Sequence, residues 1–186
     1  MNHLGTVDLQ NDKLLLRRFA LSDAEAMYKN WASDAEVTKY LMWPTHTGVD
    51  ISESVIQSWI DRYHEKDWYQ WAIVLKCCDT VVGSIGAVDK NDRIKMVHIG
   101  YCIGRKWWGQ GITTEALSLL VDFFFNQVGI NRIESRHNTA NPASGRVMEK
   151  CGLIYEGTQR DGDFDNQGIC DTALYAILAK DYGVTP

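Results

Sequence analysis

The stretch Ile103-Gly-Arg-Lys-Trp-Trp-Gly109-Gln-Gly111-Ile-Thr-Thr-Glu-Ala116 joins two segments of different periodicity. Before it, Val97-His-Ile-Gly-Tyr-Cys-Ile103 reads as a strand; after it, Leu117, Leu120, Val121, Phe124 and Val128 recur at helical spacing. Gly109 and Gly111 between them permit a tight backbone turn and a close approach to a ligand. The first turn of a helix carries N–H groups without intrahelical partners, and the helix dipole adds partial positive charge there. The stretch therefore predicts an elbow shaped to receive an anion such as phosphate. A G-x-G elbow alone also describes a tight turn with no ligand, so naming a chemistry needs a second element.

Downstream, the helix over 113–127 is closed by Gly129. A strand from Arg132 to His137 follows, then a helix with Asn141 as its cap, Pro142 at its first position and Cys151-Gly152 at its end. Two strands, about Leu153 to Thr158 and Ile169 to Leu178, are joined by a polar loop. Upstream, Trp71–Leu75, Val81–Val88 and Val97–Ile103 predict an antiparallel meander. Ahead of it lies an amphipathic helix, about Asp50 to Lys66, presenting Val55, Ile56, Trp59, Ile60 and Tyr63. A first strand, Lys13–Phe19, feeds a helix through Trp31, for which Ser22 and Glu25 have capping-box spacing. The order β-α-α-β-β-β-α-β-α-β-β predicts a mixed α/β (α+β) sheet and not a strictly alternating doubly wound one.

A chain of 186 residues with 45% hydrophobic content, only 3 Pro and no low-complexity tract encloses one sizeable core, so a single domain over 1–186 is expected. No basic cluster followed by an apolar run opens it, and nowhere do ~18 uncharged apolar residues occur in succession, which points to a cytoplasmic protein without membrane association. Net charge of -5 leaves no basic stripe for nucleic acid, while a mildly acidic surface suits a cationic partner. The 5 cysteines are odd in number and lack C-x-x-C spacing, and the adjacent Cys77-Cys78 does not suit a simple bridge, so reduced thiols are expected. Asp161-Gly-Asp163-Phe-Asp165 could attract a cationic acceptor; no metal is expected there, because Asn166 and Thr172 stand where a calcium loop needs Gly and Glu, leaving a solvated hairpin loop. A Rossmann reading fails because Thr114 occupies the place of the third glycine, and no G-K-[ST] supports a nucleotide triphosphatase.

The second element is Asn138-Thr-Ala-Asn141-Pro-Ala-Ser144-Gly-Arg-Val-Met148-Glu-Lys150-Cys-Gly-Leu153. With both blocks present in this order, the chain resembles the GNAT superfamily of acyl-CoA-dependent N-acyltransferases. Within it, the chain is similar to the branch named for the Rim ribosomal-protein N-acetyltransferases, from Lys13 to Tyr182. The resemblance implies a twisted, mostly antiparallel sheet of about seven strands flanked by about four helices. It implies acetyl-CoA as co-substrate and an amine acceptor, a peptide or protein N-terminus or a small amine. Backbone amides from about Lys106 through Gly109, Gln110, Gly111, Ile112, Thr113 and Thr114 would hold the coenzyme A pyrophosphate. Cys102 and Ile103, ending the strand, would pair with the pantetheine arm, and a main-chain N–H there would polarise the thioester. Exposed edge strands in this fold also admit a homodimer.

Asn141 and Ser144 lie three apart near the positive end of their helix and can reach one ligand. Many relatives place a proton-donating Tyr where this chain has Met148, so Ser144 becomes the candidate general acid; otherwise Asn141 merely caps and Ser144 is solvated. The amine must lose a proton before attack. His98, where relatives commonly carry Glu, is one candidate base, with an ordinary pKa near ~6.5. Glu134, His137 or an ordered water compete for that role, and alternation puts Glu134 and His137 on opposite faces of their strand. Trp43 and His46, in Tyr40-Leu-Met-Trp43-Pro-Thr-His46, stand where the Rim-like branch has substrate-facing residues, although Trp43 equally suits a core plug. The competing non-enzymatic reading is an acyl-CoA-binding sensor or interaction module with this fold.

Overall fold

The computed structural model of the protein describes residues 1–184. Strands β1 (Leu9–Gln10) and β2 (Leu14–Arg17) open the chain, and a 3-10 turn leads into α1 (Ala24–Met27), prolonged by a π-helical turn over Tyr28–Ala32. The one-turn helix α2 (Ala35–Thr38) and the longer α3 (Val49–Ile60) precede the meander β3 (Gln70–Leu75), β4 (Thr80–Asn91) and β5 (Met96–Ile103). Then come α4 (Ile112–Phe123), β6 (Arg132–Asn138), α5 (Pro142–Lys150), β7 (Ile154–Asp165) and β8 (Gly168–Leu178). One eight-stranded sheet results, in the order β1-β2-β3-β4-β5-β6-β8-β7. The expected seven strands and four helices gain β1 and α2, two elements too short to leave a periodic signature. No described helix is long and apolar enough to cross a membrane.

Alternation along the strands divides the core in two. On one face α4 packs Leu117, Leu120, Phe123 and Phe124 against Leu16, Trp71, Ile85 and Ile99. On the other, α1 and α3 bring Met27 and Ile56, with Trp31, against Ala72, Val74 and Val81. Trp71 and Phe123 meet edge-on, with centroids 5.8 Å apart.

Local expectations shift where tertiary contacts intervene. The first helix is not capped by Ser22 and Glu25; Asp23 accepts the Ala20 N–H at 2.8 Å and both prongs of Arg17, while Glu25 pairs with Lys29. The helix expected to reach Lys66 stops at Ile60, because the Tyr63 hydroxyl accepts from Phe19 N and donates to the Gln70 carbonyl, bending the chain into the sheet. The loop expected around Asp161–Asp165 is strand, continuing β7 past a register shift between Gln159 and Asp163.

The one parallel pairing matters most. β5 and β6 are in register only over Met96↔Arg132, Val97↔Ile133 and His98↔Glu134. Past that point β5 stays with β4 as far as Ile103 and β6 stays with β8 as far as Asn138, so the two diverge. The buried Ser135 hydroxyl donates to the Ile99 carbonyl at 2.7 Å and closes the vertex. Losing that bond in Ser135→Ala is expected to lower unfolding free energy by about 1 kcal/mol in urea titration; an unchanged midpoint would mean the vertex closes without it.

Candidate active site

At the end of β5 the chain makes a short 3-10 turn over Arg105–Trp107, then passes Gly109 at φ +73° and Gly111 at φ +78° into α4. Both glycines are left-handed, and a Cβ at either position would meet nothing within 4 Å on the protein side. The first backbone bond of α4 runs from Glu115 N to Gly111 O, so the six amides from Gly109 to Thr114 have no acceptor among the described residues. Five of these residues, Gly109 and Gly111 to Thr114, line one side of a cavity of about 390 Å³, together with Cys102, Ile103, Asn141 and Ser144. Gln110 and Lys106 do not line it; the Gln110 side chain donates to the Lys106 carbonyl at 2.9 Å, bracing the loop from outside. Asn141 holds the cap position of α5, but its side chain makes no capping bond, leaving the amide available at the cavity wall.

A second cavity, about 490 Å³, opens beyond the vertex on the face of His98. The two cavities share Tyr40, Leu41, Tyr101, Cys102, Asn141 and Ser144. At this junction the Tyr101 hydroxyl donates to the Ser144 carbonyl at 2.9 Å and lies 3.0 Å from Ser144 Oγ. Burial drives the Tyr101 pKa well above the ordinary tyrosine value, so it remains an O–H donor.

A nucleotide-sized cavity under unpaired amides, joined at a hydroxyl pair to a second cavity, is a two-substrate layout. Residues 13–154 match the acetyltransferase (GNAT) domain family. The chain belongs to the GNAT acetyltransferases. It is 30% identical over 174 residues to the uncharacterized N-acetyltransferase p20 of Bacillus licheniformis, covering 94% of this chain and 97% of that protein. The ribosomal-protein-serine acetyltransferase of Escherichia coli K12 is 27% identical over 115 residues, 62% of this chain and 64% of that one. The solved structure of the microcin C7 self-immunity acetyltransferase MccE, in complex with acetyl-CoA and AMP, shares the fold at TM-score 0.81 and 23% identity, covering 90% and 93% of the two chains. The protein is thus an N-acetyltransferase with acetyl-CoA as co-substrate, and the open elbow and its unpaired amides suit a diphosphate.

Within this GNAT site the remaining candidates separate. His98, 8% exposed, lines the second cavity, its Nδ1 3.4 Å from Glu134. Burial, with Arg136 adding to it, lowers the His98 pKa below its ordinary 6.5 despite the opposing pull of Glu134. Glu134 shares the face of His98 but lines neither cavity; Arg132 holds it at 2.9 Å. His137 points to the opposite face of β6 from Glu134 but also lines the second cavity, its Nδ1 2.7 Å from the Asn138 carbonyl and its buried Nε2 without a partner among the described residues. Trp43 lines the second cavity, whereas His46 is buried behind it, bonded to Ser52 Oγ at 2.8 Å, and lines neither cavity. Met148 is fully buried in the core. Tyr101 escaped the sequence, its only signal being alternation into the core; Asp163 and Asp165, suited by sequence to attract a cationic acceptor but expected in a solvated loop, wall the second cavity because β7 extends to them.

An alanine at Gly111 would strain a left-handed backbone by about 1–2 kcal/mol and push a methyl toward the first cavity. Calorimetry on Gly111→Ala should show acetyl-CoA affinity falling by about tenfold or more; affinity equal to wild type would remove the elbow from coenzyme binding.

Proposed function

We propose that the protein transfers the acetyl group of acetyl-CoA directly to a primary amine, the α-amine of a peptide or protein or a small amine, with both substrates bound at once. The meeting of two cavities at Tyr101, Cys102, Asn141 and Ser144 carries this reading. Acetyl-CoA occupies the first, its pyrophosphate on the amides of Gly109 and of Gly111 to Thr114 and its pantetheine arm in the opening between β5 and β6 beside Cys102 and Ile103. The amine enters the second. The C–N bond forms as the C–S bond breaks, and the departing sulfur takes a proton or a hydrogen bond from Ser144.

Tyr101 supports Ser144 by holding both its carbonyl and its hydroxyl. His98 accepts the proton released by the amine: burial keeps it neutral near pH 7, and with Nδ1 toward Glu134 its Nε2 is the nitrogen left for that proton. Glu134, tied to Arg132, steadies His98 and does not touch the acceptor. Neither thiol that lines the cavities competes as a covalent carrier, since burial pushes Cys102 up to about 12 and also raises Cys170.

Ser144→Ala should lower kcat by about a hundredfold while calorimetry finds acetyl-CoA affinity unchanged. Tyr101→Phe should produce a smaller loss of the same kind, and wild-type kcat in the serine variant would end its assignment. Rate should fall as pH drops through the folded-state pKa of His98, below 6.5, because the protonated ring accepts nothing. A pH-rate profile of His98→Gln should lack that acid limb; keeping it would move the base elsewhere.

A further inference from the structure

We propose that the second cavity selects an amine carrying an aromatic ring or a comparably bulky hydrocarbon body, an inference that rests on this cavity being the acceptor site. Three indoles, Trp43, Trp59 and Trp68, line it. Three further apolar side chains stand at its edge in contact with solvent: Met42 at 54% exposure, Val88 at 66% and Phe164 at 55%. Exposed apolar residues scattered singly are ordinary, but several lining one concave site mark a surface meant to be covered.

Backbone geometry produces this edge. The β4–β5 register shifts between Ala87 and Asp89, which turns Val88 outward, and Gly100 gives it room: a Cβ there would sit 2.8 Å from Val88 Cγ1. Phe164 projects from the part of β7 that prolongs the hairpin past its own register shift.

The charges present argue against a polycation. Asp163 is already paired with Arg136 at 3.1 Å, and Asp165 accepts from the Asn138 side chain at 2.6 Å and from Gln167 N at 2.7 Å. The Arg62 guanidinium lies 3.7 Å from the Trp68 ring centroid, so one indole already holds a cation. Of these acids only Asp165, whose donors are neutral, could pair with a cation, so further ammonium groups would be desolvated against Met42, Val88 and Phe164 without a counter-charge. A single nitrogen that loses its proton to react meets no such penalty, and its apolar body gains burial.

The test compares phenethylamine and a Phe-initiated tripeptide, the free and peptide sources of this chemistry, with spermidine and an Ala-initiated tripeptide. Thiol release gives kcat/KM, and intrinsic tryptophan fluorescence gives binding independently of turnover. One aromatic acceptor, free or peptide, should exceed both comparison amines by about tenfold or more in kcat/KM and in affinity. In the surface double variant Val88→Asp, Phe164→Asp this preference should fall by about tenfold, with acetyl-CoA affinity unchanged by calorimetry. Preference for spermidine or the Ala peptide, or a preference the double variant leaves intact, overturns the inference while the transferase reading stands. Selective binding of the aromatic amine without any thiol release would do the reverse.

Discussion

A strand cannot keep two neighbours that lead in different directions, and the site follows from that constraint. β5 is held by β4 through eight register pairs and β6 by β8 through seven, whereas β5 and β6 share three. Where their courses conflict, the weaker ladder ends. The opening admits a slender ligand without breaking either antiparallel ladder, and it brings the end of β5 level with the first turn of α5. The elbow, the hydroxyl pair and both cavities are arranged around that gap.

Burial then sets the chemistry of the junction. Tyr101 and Cys102 stay protonated and His98 stays neutral because each would have to carry charge in a poorly solvated place. The proposed amine transfer would use all three conditions: a donor beside the leaving sulfur, a neutral base beside the nucleophile, and no thiolate to intercept the acetyl group. Glu134 is paired with Arg132 and Arg136 with Asp163, and Asp165 is held by the neutral Asn138 amide, so the second cavity presents mainly indole, hydrocarbon and hydroxyl surface to its occupant.

Much was legible in the sequence, for local reasons. Gly109 and Gly111 mark an elbow because left-handed backbone is a property of single residues. Asn141-Pro142 marks a helix start because capping acts within one turn. The amphipathic face of the helix after Gly111 was readable for the same reason, and all five of its named apolar positions are buried, Phe124 and Val128 in the π-helical turn that prolongs α4. The GNAT resemblance rested on these local signals and on their order along the chain.

What lay hidden depends on residues remote in sequence. Tyr101 and Ser144 lie on different elements and meet only because the strands part. Nothing in Asp161–Asp165 favours a strand, yet pairing with β8 overrides weak propensity and turns an expected loop into a cavity wall. Trp43 and His46 look equivalent in the sequence, and packing separates them, one to the cavity and one behind it. The sequence by itself determined the family, the glycine elbow and the helix that carries Ser144, since φ preference, capping and periodicity are short-range. Tertiary structure alone decided which side chains face each other across the gap, because that follows from how competing ladders share the strands.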